Sequence, residues 1–156
     1  KRRITPSENM DRQLSLLITD DDRAFRETLQ TVFRPLGFRT LLAADGEEAL
    51  TTIHHVSIDL LLVDLHMPRL NGIELLGSLQ ILKPELPTIL ISARVTEIIR
   101  EQAYATNAAL VLSKPISARE ITQAVISIIG DPTIRPLDHN PVDRFHDDAQ
   151  DRPSNG

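Results

Sequence analysis

Cysteine is absent from the 156 residues, which excludes disulfide scaffolds, thiolate metal sites and cysteine nucleophiles. Tryptophan is absent too, and aromatic residues make up only 3%, leaving few faces on which unpaired bases could stack. No apolar run approaches the roughly 18–20 residues of a membrane-spanning helix. Lys1, Arg2 and Arg3 open the sequence without an apolar stretch behind them, so no secretory signal is expected. Basic residues do not dominate either. The 17 Lys and Arg stand against 22 Asp and Glu, a net charge of −5 that argues against a nucleic-acid surface. The 41% apolar and 25% charged residues are those of a globular chain, and the length supports one core. The expectation is a cytoplasmic domain with neither nucleic acid nor membrane as partner.

The two ends differ from the middle. Residues 1–12 are polar and aperiodic and are expected to form a flexible N-terminal segment. Residues 131–156 hold Pro132, Pro136, Pro141 and Pro153 with six Asp and only scattered apolar residues. Such a stretch buries too little surface to offset its ordering entropy, so a disordered Pro/Asp-rich tail is expected. The folded domain is assigned to 13–130, and no effector domain is expected in so short and polar a tail.

Within that domain, short apolar runs alternate with stretches of helical periodicity. Strands are predicted over Leu14–Thr19, Phe38–Ala44, Ile58–Val63, Thr88–Ser92 and Leu110–Ser113. Between them, Phe25, Leu29, Val32 and Phe33 mark one helix, and Ala49, Leu50 and Ile53 a second. Leu75, Leu76, Leu79 and Leu82 form the stripe of a third, Thr96–Ala105 gives a fourth, and Ser117 with Glu120 predicts a capping box opening a fifth. Near-continuous apolar strands alternating with helices imply a doubly wound α/β fold, a five-stranded parallel sheet covered on both faces.

Ligands in such sheets bind outside the carboxyl ends of the strands. Polar residues stand at four of those ends: Asp20, Asp21 and Asp22 after the first, Asp64 after the third, Ser92 after the fourth and Lys114 after the fifth. Asp22 is better placed as a helix N-cap than as a site residue. Asp20, Asp21 and Asp64 would carry −3 and Lys114 would return +1. A divalent cation with oxygen ligands, Mg²⁺ above all, would supply the difference. Lys114 is one of only three Lys beside fourteen Arg, and a compact ammonium serves a single oxygen as a point charge.

These residues resemble the receiver domain of two-component response regulators. The resemblance runs from Leu14 to Ile129 and rests on Asp20-Asp21-Asp22, the run Ala44–Leu50, Asp64 with Met67-Pro68, Asn71-Gly72, Ser92-Ala93 and Lys114-Pro115. It implies a flavodoxin-like (βα)5 fold with strand order 2-1-3-4-5. It also implies that Asp64 is a phosphoacceptor, a carboxylate being a competent nucleophile toward phosphorus. Asp21 and Asp64 would then ligate Mg²⁺ directly, Asp20 through water, and the backbone carbonyl of His66 would complete the protein's share. Lys114 and Ser92 would each donate to a phosphoryl oxygen, and the Lys114–Pro115 peptide would be cis. The implied partners are a sensor histidine kinase or phosphotransfer protein and a downstream effector that the sequence does not identify. A homodimer through the face of the fourth helix, fifth strand and fifth helix is a further expectation. Three positions depart from the family's pattern: Val111 stands where many members carry an aromatic, Asn71 where Asp is usual, and Asn107 where Gly is usual.

Other functions fit less of the sequence. Asp20-Asp21-Asp22 occupies the turn where a dinucleotide or P-loop site would need glycines. A haloacid-dehalogenase-like phosphatase would carry a second Asp two residues after its nucleophile, where this chain has His66. A phosphorylation-independent module of the same fold would not need the full set of site residues. The chain is therefore expected to be a signalling acceptor and not an enzyme.

Overall fold

A computed structural model describes residues 13–130, so the expectations for 1–12 and 131–156 lie outside the described residues. The elements run β1 (Ser15–Thr19), α1 (Arg23–Phe33), β2 (Arg39–Ala43), α2 (Gly46–His55), β3 (Leu60–Asp64), α3 (Gly72–Leu82), β4 (Thr88–Ser92), α4 (Glu97–Ala105), β5 (Leu110–Ser113) and α5 (Ala118–Ile129). All four strand pairings are parallel, and the order is β2-β1-β3-β4-β5, as the resemblance implied. The order reverses at β1, which leaves a crevice beyond the carboxyl ends of β1 and β3.

Strand periodicity explains the continuous apolar runs. Leu17, Leu61, Val63 and Leu90 face one side, where they pack with Ala49 and Ile53 of α2 and with Leu75 and Leu79 of α3. Leu16, Ile18, Leu60, Leu62 and Ile91 face the other, against Leu29 and Phe33 of α1 and Ile121 and Val125 of α5. Successive residues point to opposite faces, so a strand covered twice is apolar on both, and the buried polar residues Ser15, Thr19, Asp64, Thr88 and Ser92 stand only at strand ends. The central strands β1, β3 and β4 are buried throughout, whereas the edge strands β2 and β5 are only partly so.

Several expectations are corrected in detail. Phe38 precedes β2 instead of opening it, its ring set edge-on to Phe33 with centroids 5.5 Å apart. Ile58 and Asp59 lie before β3, and the Asp59 carboxylate accepts from the Ser15 N–H at 2.8 Å. The first helix, expected over Arg23–Pro35, stops at Phe33, and a 3₁₀ turn over Arg34–Leu36 carries the chain past Pro35 to Gly37, whose φ of 93° closes it. Leu82 is 64% exposed, because the last turn of α3 extends beyond the core that buries Leu75, Leu76 and Leu79. Ser117 caps α5 by accepting from the Glu120 N–H, but the reciprocal box predicted there is found at the start of α3 instead, between Asn71 and Glu74. Asn107 adopts a φ of 71°, the left-handed conformation that Asn tolerates in place of Gly. No helix among the described residues is long and apolar enough to cross a membrane.

Candidate functional site

β1 delivers Asp20 to the crevice, and the turn behind it is fixed by its own side chains. Asp20 Oδ1 accepts from the Asp22 N–H at 2.8 Å, and Asp22 caps α1 by accepting from the N–H groups of Ala24 and Phe25. The N-cap role read for Asp22 therefore holds, and Asp21 is left exposed at the rim. β3 delivers Asp64 as its final residue, paired in register with Ile91 of β4. Carboxylate oxygens of Asp20, Asp21 and Asp64 lie within 4.8 Å of one another.

Lys114 reaches this cluster from the end of β5, two strands away from Asp64. Its N–H donates to the Ser92 carbonyl at 2.8 Å, tying it to β4, and the Lys114–Pro115 peptide is cis as expected. Its ammonium lies 2.8 Å from Asp20 Oδ2 and 3.3 Å from Asp64 Oδ1. Burial and then the charge of Asp20 push the Asp64 carboxyl above its ordinary pKa, although Lys114 works in the opposite direction. Burial lowers the Lys114 ammonium, but the bond to Asp20 with the charges of Asp20 and Asp64 outweighs it and holds the pKa above the usual value. The three clustered carboxylates, with the one ammonium that pairs with Asp20 and Asp64, leave an excess of two negative charges when all are ionised. Hard oxygen donors with that deficit fit Mg²⁺, which takes one or two carboxylates and keeps several waters.

The remaining predicted residues are nearby but differently engaged. Ser92 is fully buried at the end of β4, and its hydroxyl donates to the Arg94 carbonyl, not to Asp64. His66 is exposed two residues past Asp64, in the loop that leads to α3. Val111 is buried in the core beneath β5.

Three contributors were given no part in the site by the reading of the sequence. The Arg26 guanidinium donates to the backbone carbonyl of Asp20, holding the acidic turn from behind. The Phe25 ring lies under the Lys114 ammonium, with Nζ 4.2 Å from the ring centroid. Both occupy the opening of α1, immediately after the acidic run, and that adjacency was the available signal. Gly72 is the third. A Cβ there would come within 2.7 Å of the Asp64 carbonyl, so only glycine lets α3 start so close to the end of β3.

Comparisons with known proteins agree with this geometry. The family model of the response regulator receiver domain matches residues 16–126. The transcriptional regulatory protein CpxR of Escherichia coli K12 is 36% identical over 114 residues, covering 73% of this chain and 48% of CpxR. The chain thus spans about half the length of that relative. Among solved structures, the receiver domain of Francisella response regulator 1452 superposes with a TM-score of 0.72 at 30% identity, covering 76% of this chain and 98% of that one. The CheX-CheY-BeF3-Mg complex of Borrelia burgdorferi gives a TM-score of 0.72 at 28% identity, over 77% of this chain and 92% of that one. With its fold, its acidic crevice and the family match in agreement, the chain belongs to the response regulator receiver domain family.

Proposed function

We propose that the domain accepts a phosphoryl group on Asp64 in a Mg²⁺-dependent reaction, from a sensor histidine kinase or a phosphotransfer protein, and so switches an interaction surface. The observation that carries this reading is the cluster of Asp20, Asp21 and Asp64 carboxylates, two of which, Asp20 and Asp64, share the ammonium of Lys114. In the transfer, an Asp64 carboxylate oxygen forms a bond to phosphorus as the phosphorus–nitrogen bond to the donor imidazole breaks. The electron pair leaves with the imidazole nitrogen. Lys114 donates to a phosphoryl oxygen and stabilises its charge. Asp21 and Asp64 would hold Mg²⁺ directly, Asp20 through water, and the backbone carbonyl of His66 would add a further oxygen. When bound, the ion supplies positive charge that offsets that of the carboxylates and the transferring group. The Borrelia burgdorferi relative was solved in complex with BeF3 and Mg, which supports the same chemistry for this chain.

Ser92 gives the modification a mechanical consequence. Its hydroxyl would exchange the Arg94 carbonyl for a phosphoryl oxygen, and Lys114 would gain a second such bond. Charge-assisted hydrogen bonds contribute about 1.5–3 kcal/mol each. Two approach the roughly 5.5 kcal/mol that inverts a 1:99 population. The domain acts here as an acceptor in the cytoplasm and not as a turnover enzyme. His66, two residues beyond Asp64, does not offer the second carboxylate that a phosphatase of the rival class would use. Residues 13–130 form the receiver unit. A homodimer through α4, β5 and α5 belongs to the same reading, since α4 leaves Ile98 and Tyr104 exposed. Intact-mass spectrometry after incubation with acetyl phosphate tests the reading. One added phosphoryl group is expected with Mg²⁺, and none without Mg²⁺ or in Asp64→Asn. Label on another residue, or no label with either acetyl phosphate or phosphoramidate, would overturn it.

A further inference from the structure

We propose that Phe25 is a positioning residue, its ring face holding the Lys114 ammonium between Asp20 and Asp64 for phosphoryl transfer. This deepens the acceptor reading and rests on it. An ammonium has three N–H donors. One points to Asp20 at 2.8 Å, Asp64 lies within reach of another at 3.3 Å, and the Phe25 ring lies beneath with its centroid 4.2 Å from Nζ. The Lys114 side chain is only 22% exposed, so the ring occupies space that water would otherwise fill around the cation.

The chemistry of the ring suits that place. Its negative face attracts a cation without accepting a strong, directed hydrogen bond and without bringing another formal charge. A carboxylate there would hold the ammonium away from an incoming phosphoryl oxygen, and an aliphatic side chain would fill the volume but exert no such attraction. Over the ring, the ammonium can turn a donor toward a new oxygen at Asp64 while remaining held from below. Phe25 is set in place by the same cap that shapes the acidic turn, because its N–H donates to Asp22 Oδ1 at 3.3 Å. Its ring also packs against the core layer beneath α1, which limits its freedom to swing away.

Phe25→Leu keeps the apolar packing and removes the π face, whereas Phe25→Tyr keeps both. The chain has three lysines, Lys1, Lys83 and Lys114, so their ε-methylene signals can be resolved in ¹H–¹³C spectra. The ring current of Phe25 is expected to shift the Lys114 signal upfield from the other two. That shift should disappear in Phe25→Leu and return in Phe25→Tyr. With acetyl phosphate as donor, Asp64 attacks phosphorus while the bond from phosphorus to the acetate oxygen breaks and acetate leaves with the electron pair. At saturating Mg²⁺, Phe25→Leu is expected to react about three- to tenfold more slowly than the wild type, and Phe25→Tyr within about twofold of it. Thermal melts check that both variants are folded. A Leu variant that keeps pace with a phosphorylated wild type, or that leaves the Lys114 signal unmoved, overturns the role of Phe25 alone. A wild type that takes up no phosphoryl group overturns the acceptor reading and the role of Phe25 in transfer with it.

Discussion

The Ser92 hydroxyl donates to the Arg94 carbonyl at 3.1 Å and accepts from the Arg94 N–H at 3.2 Å, closing the end of β4 onto its own loop. Turning that hydroxyl toward Asp64 requires both bonds to break. The released segment leads directly into α4, whose N-cap Thr96 accepts from the Ile99 N–H.

Ser92→Ala should therefore suppress most of the amide shift changes that beryllofluoride, a phosphoryl mimic, induces in residues 94–105. Val111→Ala should leave most of them in place. Val111 is buried, β-branched and stiff at χ1, and cannot sweep inward as a larger ring would. Shifts abolished by Val111→Ala but spared by Ser92→Ala would show that the signal takes another route.

Loss of Asp21 should weaken Mg²⁺ binding more than loss of Asp20, by about tenfold or more. Both Asp20 oxygens already accept bonds, Oδ1 from the Asp22 N–H and Oδ2 from Lys114, whereas Asp21 is exposed at the rim. Calorimetry is the appropriate measurement, since the chain lacks the Trp that a fluorescence titration would use. Equal losses in Asp21→Ala and Asp20→Ala would reverse the assignment of direct and water-mediated ligands.

Without Mg²⁺, Asp64→Asn should raise the melting temperature at neutral pH. Burial and Asp20 hold the folded pKa of Asp64 above its ordinary value of 3.8. The folded state therefore favours the protonated form, a contribution fully present below the ordinary value and lost as pH rises through the raised one. Asn mimics the neutral carboxyl, so its advantage should shrink as the pH falls toward 4 and both proteins carry a neutral group. A substitution that destabilises at neutral pH would show that the Lys114 contact outweighs burial and repulsion.

Two glycines of α3 should respond oppositely to alanine. At Gly72 a Cβ would meet the Asp64 carbonyl and Leu90 Cδ1 at 2.7 Å, so Gly72→Ala should cost about 1–3 kcal/mol. At Gly77 nothing lies within 4 Å, and Gly77→Ala should stabilise the helix by about 0.5–1 kcal/mol. Urea unfolding of both variants measures the difference, and equal effects would refute the close approach.

Much of the site was legible because its residues sit where local patterns change. An apolar run ending in Asp20, Asp64, Ser92 or Lys114 marks a strand terminus, and parallel strands send all such termini to one edge. The capping boxes were less legible. Ser117–Glu120 and Asn71–Glu74 both satisfy the spacing, and only the latter closes both bonds, because closure depends on the Glu rotamer and its neighbours. Leu82 failed similarly: helical periodicity places it on the stripe, but not under a neighbour that would bury it.

The sequence by itself determined the alternation of strands and helices, the two-faced burial of the central strands and the identity of the polar residues at their ends. These follow from repeats of 2 and 3.6 residues, which each segment carries without reference to any other. Only the tertiary structure decided which ends meet. Lys114 and Asp20 are 94 positions apart and join in an ion pair because the chain crosses back over the sheet to bring β5 alongside β4. The ring of Phe25 beneath that ammonium and the Arg26 guanidinium behind Asp20 were likewise set by how α1 packs on the sheet. Such contacts depend on strand order, register and helix docking, which local periodicity does not encode.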